Sequence, residues 1–335
     1  MRSDVSKNAG SSQANSSGLS AVVAAAKDIG ALEPEPVNSG SSERSGEFAL
    51  PPASRRTILG DLKEIVAELR GSGELIHQLT LRDVRIRYKQ AVFGFAWAML
   101  LPFAVVLAGV AVRFAVSYAQ NRGLNQTQIA GMTVKAVPWA FFVGCLNNAT
   151  PSLISNISLV TKIYFPREVL PLGAVLAQTF DSLIGLAIVA CVLPFLGIGV
   201  TAQLLWIPLL LALLWTFSLA LALFLSCANL FFRDVKYLIQ VFLSFGIFVT
   251  PVILDAPQFG PRVGPIMMLN PVAPILEGLR LSVVEGHNLL VPLYSHGFLF
   301  WKPWYLAYSA TWAIGGLIVS SLIFHRSERR FAEIV

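Results

Sequence analysis

The residues able to do chemistry are few and dispersed. His77, His287, His296 and His325 stand at no metal-ligand spacing, and Cys145, Cys191 and Cys227 lie in apolar stretches with no disulfide pattern. Neither set predicts a metal site. No Gly-x-x-x-x-Gly-Lys-Ser/Thr run occurs, so the chain lacks a loop to cradle nucleotide phosphates and is not expected to hydrolyse ATP by itself. Gly-x-Ser-x-Gly and His-Glu-x-x-His are missing too, so no catalytic residue is expected. Asp181 is the one acid read deep in an apolar run. A charge at mid-membrane costs roughly 3 kcal/mol or more on insertion scales, so it needs a partner or water. With no chain of acids and bases read alongside it, a structural hydrogen bond is expected rather than ion coupling.

What remains is chemistry of contact. The short run Lys162, Tyr164, Phe165, Pro166, Arg167 and Glu168 combines aromatic anchors, a stiffened backbone and two charges, which suits docking to another protein. A second group is polar and aromatic inside an apolar stretch: Trp139, Phe142, Asn147 and Asn148 are expected to face protein or water rather than lipid and are candidates to line a path. A third surrounds the pair Asn270-Pro271, where Met267, Met268 and Ile275 suit an outer seal closed by dewetting.

These groups need a membrane scaffold. Of 335 residues, 55% are hydrophobic and 13% charged, with a mean hydropathy of +0.65. That charge is too little to cover a water-soluble domain, and apolar runs of about 20 residues each cross a bilayer core. The net charge of +6 is assigned to the cytoplasmic side of a membrane protein and not to nucleic acid. Residues 1–54, rich in Ser, Asn, Gly and Ala, read as a disordered tail. Residues 55–90 read as cytoplasmic amphipathic helices, one over 57–70 and, after Gly71-Ser72-Gly73, one over 74–90. In the second, Arg82, Asp83, Arg85, Tyr88 and Lys89 suit a helix at the headgroup level beside anionic lipid.

Residues 91–335 read as an all-α domain of about six spans: 91–112, 137–158, 169–193, 203–227, 236–254 and 304–324. The first two boundaries are set by the charges Arg113 and Lys135. With the N-terminus inside, the inner segments hold 15 Lys and Arg and the outer ones 6, so both termini are expected in the cytoplasm. The segment 254–303 reads as a re-entrant helical hairpin in the outer leaflet, with Asn270 capping and Pro271 opening its second helix.

The run Leu79-Thr-Leu-Arg-Asp-Val-Arg-Ile-Arg-Tyr-Lys-Gln-Ala-Val-Phe-Gly-Phe-Ala-Trp97 with Pro102 resembles the entry to the first span in ATP-binding-cassette permeases that export polysaccharides and polyol phosphates. Thr161-Lys-Ile-Tyr-Phe-Pro-Arg-Glu-Val-Leu-Pro171 is similar to that family's loop between spans two and three. Asn270-Pro271 with Glu277-Gly278-Leu279-Arg280 is similar to the segment before its sixth span. The resemblance covers residues 74–330. It implies a bacterial inner-membrane homodimer, two partner ATPase chains that bind ATP and Mg, and a lipid-linked glycan such as O-antigen, capsule or teichoic acid. It also implies that the Lys162–Glu168 loop is the coupling element. A small lipid or drug cargo is the alternative within the same machine. A membrane glycosyltransferase is disfavoured, because the outer loops hold only Asp255, Glu277 and Glu285 and no metal-binding carboxylate pair. A self-sufficient carrier is disfavoured by the missing ion-coupling groups.

Overall fold

The computed structural model describes residues 58–89, 96–119, 126–162, 165–295 and 297–334. The tail over 1–54 and Tyr164 lie outside them. The described residues form twelve α-helices, three short 3-10 turns and one two-stranded hairpin.

Helices α1 (Ile58–Gly71) and α2 (Gly73–Tyr88) match the two amphipathic stretches. In α1 the apolar stripe turns Ile65 inward, half-buries Leu62 and Leu69 and leaves Val66 exposed. In α2 the stripe buries Leu75 and Leu79.

The long helices are α3 (Ala96–Ala119), α4 (Gln126–Ala149), α7 (Val169–Val192), α8 (Trp206–Phe231), α9 (Val235–Val249) and α12 (Trp304–Ile334). Among the described residues, four segments are long and apolar enough to cross a membrane: Gln126–Ala149, Val169–Leu196, Ala202–Phe231 and Trp304–Glu328. Pro102–Ala115 and Val235–Val249 are shorter apolar stretches. The 15 residues of α9 rise about 22 Å, short of a bilayer core of about 30 Å. Helix α12 lies along α8, α4 is flanked by α7 and α8, and α3 packs on α4. Hydroxyls in these helices bond back one turn, as Thr133 to Ile129 O, Thr179 to Val175 O and Ser218 to Leu214 O. Such bonds satisfy polar groups where no water is available.

Two expected boundaries are corrected. The first span does not stop before Arg113: α3 continues to Ala119 and buries that guanidinium. The second is not 137–158. Helix α4 starts at Gln126, contains Lys135 at 0% exposure, and ends at Ala149. Of the polar residues expected at the end of that span, Ser152 and Ser155 fall on a short helix α5 (Ser152–Ser155) and Ser158 on another, α6 (Ile157–Lys162), with Thr150 and Asn156 in the turns before them.

The segment 254–303 holds two helices, as expected: α10 (Gly260–Met267) and α11 (Val272–Val283). The Asn270 side chain accepts from Val272 N at 3.2 Å and donates to Thr250 Oγ1 at 2.9 Å, so it caps α11 and anchors it to the end of α9. Every residue of α11 is buried. A β-hairpin follows, β1 (Leu293–Ser295) with β2 (Phe298–Trp301), turning through Gly297 at φ 81°. This is the departure from an all-α expectation. Trp301, at 0% exposure, donates its indole N–H to Leu289 O in the turn before β1, and its ring lies beside Gly278 of α11.

Candidate functional site

Three polar centres organise these helices. The first is where α2 meets α7. Leu79 lies beside Gly173, and further along both helices Arg87 and Tyr88 reach Asp181. The contacts come in the same order on both elements, so α2 runs alongside α7 instead of lying across its end. Arg87 Nη1 donates to Asp181 Oδ2 and to Gln178 Oε1, the latter at 3.0 Å, and the Tyr88 hydroxyl donates to Asp181 Oδ1. The buried acid therefore has its structural partners. Both come from a helix expected to serve lipid, so Tyr88 is turned inward. Arg82 is likewise held, by Asp83 at 2.9 Å and Asn156 at 2.9 Å. Arg85 and Lys89 remain exposed.

The second centre is a buried ionic cluster between α3, α4, α11 and the loop after α9. Asp255 Oδ2 meets Arg113 at 3.0 Å, and its Oδ1 meets Lys135 Nζ at 2.7 Å and Arg280 Nε at 3.6 Å. Lys135 also faces Glu277 at 3.5 Å, and Arg280 pairs with Glu277 at 2.6 Å and Glu285 at 2.5 Å. Three cations and three carboxylates balance. Burial opposes ionisation of Asp255, but Lys135, Arg280 and Arg113 outweigh it and hold its carboxyl below the usual range. The expectation that the helices carry no linked acids and bases is thus overturned. The cluster belongs to the fold's interior and is closed by its own members, so it resembles a clamp on α11 more than an ion path.

The third centre surrounds the Lys162–Glu168 loop. Phe165 and Pro166 are half-buried, with Phe165 packed against the core. Arg167 turns to the end of α12, donating from Nη1 to Glu328 O at 2.6 Å. Glu168 is 3% exposed, so it faces inward and cannot meet a partner across an interface. Burial raises its carboxyl to about 7. Lys162 closes α6. The histidine spacing predicts no ligand cluster, yet the fold brings His325 beside Glu168 and Glu328, with one candidate ligand atom from each within 4.8 Å of the others. Their separation in sequence hides that group from any spacing motif.

No family model matches the chain. Curated relatives do. The chain is similar to O-antigen export permeases. An O-antigen export system permease protein RfbA of Klebsiella pneumoniae is 25% identical over 266 residues, which is 78% of this chain and 95% of that protein. A second protein of that name from the same organism is 24% identical over 270 residues. A third, from Myxococcus xanthus, is 27% identical over 227 residues, 67% of this chain and 85% of its own length. These similarities bear out the resemblance to export permeases, and the helices described above bear out the expectation of a mainly α-helical membrane protein.

The remaining candidates divide by burial. Trp139 and Phe142 are 4% and 7% exposed, and Phe142 stacks parallel on Phe217 of α8 with ring centroids 6.2 Å apart. They are core residues and do not face a path. Asn147 and Asn148 are exposed, and Asn148 donates to Gln178 Oε1 at 3.1 Å. Met267, Met268 and Ile275 are buried inside the protomer at 7%, 0% and 1%. The outward apolar residues nearby are Val263, Ile266 and Leu269. An apolar crevice between α4, α7 and α8, lined by Pro138, Phe141, Leu183 and Trp215 among others, offers a sugar few polar groups.

Proposed function

We propose that this chain is the membrane-spanning permease subunit of an ATP-driven exporter that moves a lipid-linked O-antigen-type polysaccharide across the bacterial cytoplasmic membrane. The observation that carries this reading is the similarity to O-antigen export permeases over 95% of a relative's length. The protein acts as a homodimer with two separate ATPase chains, which supply ATP and Mg binding. Both termini are cytoplasmic, in keeping with the excess of Lys and Arg on the inner segments.

The surfaces support this division of labour. Phe103, Leu107 and Phe114 on α3, and Phe242, Phe245 and Phe248 on α9, present apolar surface that stays exposed among the described residues. A second copy and the glycan between two copies would cover it. The inner loop transmits force through Phe165 and Pro166, while Arg167 ties that loop to α12. Asn147 and Asn148 retain a place on the pathway. The outer seal rests on Ile266 and Leu269, apolar and facing out, with Met267, Met268, Asn270, Pro271 and Ile275 as its support.

The test is deletion of the gene in its host, with complementation by the full chain. Lipid-linked polymer accumulates inside and surface glycan disappears; both revert when the chain is supplied to a host that keeps its ATPase, and not when the ATPase gene is deleted as well. Unchanged surface glycan in the deletion strain, or export by the chain without any ATPase, sinks the proposal.

A further inference from the structure

We propose that Glu168, His325 and Glu328 form a binding site for one divalent first-row transition-metal ion, such as Zn²⁺. It lies where the Lys162–Glu168 loop, α1 and the end of α12 converge. The inference stands apart from the transport reading and rests on the local chemistry alone.

His325 Nδ1 lies 3.6 Å from Glu168 Oε1, too long for a hydrogen bond. An ion held at about 2.0–2.2 Å from nitrogen and oxygen ligands would fit between them with small rotamer shifts. Glu168 and His325 are 3% and 8% exposed. Among the described residues, neither Glu168 oxygen and not His325 Nδ1 has a hydrogen-bond partner. Buried polar atoms left so are costly, and three of them converge on one point. His325 Nε2 faces Glu64 Oε2 on α1 at 3.8 Å, beyond hydrogen-bond distance but near enough for a small shift to bring the carboxylate onto the imidazole and orient it toward an ion. Glu328 Oε1 accepts from Arg167 N at 3.4 Å, which leaves its other oxygen for an ion.

The charges around the site favour a cation. Glu64, Glu168 and Glu328 surround the imidazole, with Glu68 close by on α1. Arg167 answers Glu328, and Arg326 is committed to Asp61 at 3.0 Å. A mixed set of one imidazole and two carboxylates suits Zn²⁺, Mn²⁺ or Fe²⁺, whereas Ca²⁺ and Mg²⁺ take oxygen ligands. A bound ion would tie the inner loop to both the first and the last described helix.

The test uses the full chain, free of any histidine tag, in detergent micelles. Zn²⁺ affinity is read by competition with a chromogenic chelator, and Co²⁺ by its absorption bands. One equivalent is expected per chain, bound at micromolar or lower free Zn²⁺. Glu168→Gln and His325→Ala lower affinity at least tenfold, and Glu64→Gln, which keeps all three ligands, lowers it about tenfold or more. His77→Ala changes nothing. Glu168→Gln replaces a buried carboxyl by a neutral amide, so it is expected to leave the chain folded and monodisperse. Failure of the wild-type chain to bind below about 1 mM Zn²⁺, or binding that survives both Glu168→Gln and His325→Ala, overturns the proposal.

Discussion

Lys135→Met removes one of three cations from the cluster that clamps α11. Lys135 is 0% exposed and lies 2.7 Å from Asp255 and 3.5 Å from Glu277, which is also 0% exposed. At an effective dielectric constant of about 20, those contacts are worth about 6 and 5 kcal/mol of attraction before desolvation is subtracted. Methionine fills the space of the aliphatic stem but leaves three carboxylates facing two guanidiniums. Breaking a buried pair in this way costs about 3–5 kcal/mol, or a fall in melting temperature on the order of 10 °C for a chain of this size. The assay is retention of a monodisperse size-exclusion peak after heating in detergent. Adding Glu277→Gln restores the charge balance and is expected to recover about 1–3 kcal/mol of the loss. A melting temperature for Lys135→Met within about 2 °C of wild type refutes the reasoning. So does a double variant whose loss is simply the sum of the single ones.

Three further outcomes follow from the other centres. Arg87→Ala leaves Asp181 with its carboxylate short of a cation and is expected to cost about 3 kcal/mol; Asp181→Asn in the same chain recovers most of it, and an unrecovered loss means that the guanidinium serves something else. Gly264→Ala places a methyl 2.8 Å from the Ala256 carbonyl oxygen, and forcing that backbone apart lowers stability by about 1–3 kcal/mol, whereas Gly315→Ala, with open space around it, melts like wild type. In chelator-treated protein the Glu168 carboxyl, raised by burial to about 7, binds its proton more tightly folded than unfolded. Its stabilising effect is therefore complete below about pH 4.5 and is lost as pH rises toward 7, a difference on the order of 3 kcal/mol. Glu68, Arg167, His325 and Glu328 face the same carboxyl, and Glu168→Gln flattens the profile if Glu168 is its source.

Much of the architecture was legible because apolar periodicity and helix breakers are local signals. The helices read over 57–70 and 74–90 appear as 58–71 and 73–88, parted at Gly71-Ser72-Gly73. Asn270 caps the helix after Pro271 as its side chain and position suggested. The β-hairpin over 293–301 was not legible: its strands are three and four residues long, too short to show alternation, and it is fixed by the distant acceptor of Trp301. The site residues fared unevenly for one reason. Residue type told that Trp139, Phe142, Met268 and Ile275 prefer apolar surroundings, and both a core and a pathway wall offer those. Only the packing of α4 on α8, and of α11 on its neighbours, decides for the core. Glu168 and His325 were missed as a pair because they meet only when the last helix returns beside the loop before α7.

The displaced span boundaries have a single physical origin, and it bears on the topology. Reading Arg113 and Lys135 as ends of spans treats every charge as seeking water. Both instead sit inside helices, because Asp255 and Glu277 neutralise them within the protein. The same applies to Arg280. Three of the six Lys and Arg on the outer segments are therefore spent internally and say nothing about membrane sidedness. An equal discount inside removes Arg82, Arg87, Arg167 and Arg326, which are paired with Asp83, Asp181, Glu328 and Asp61. Removing the cations paired among the described residues changes the count from 15 against 6 to 11 against 3. Setting the paired charges aside still leaves the excess of Lys and Arg on the segments read as inner, so the proposed cytoplasmic N-terminus does not rest on the charges that misplaced the helix ends.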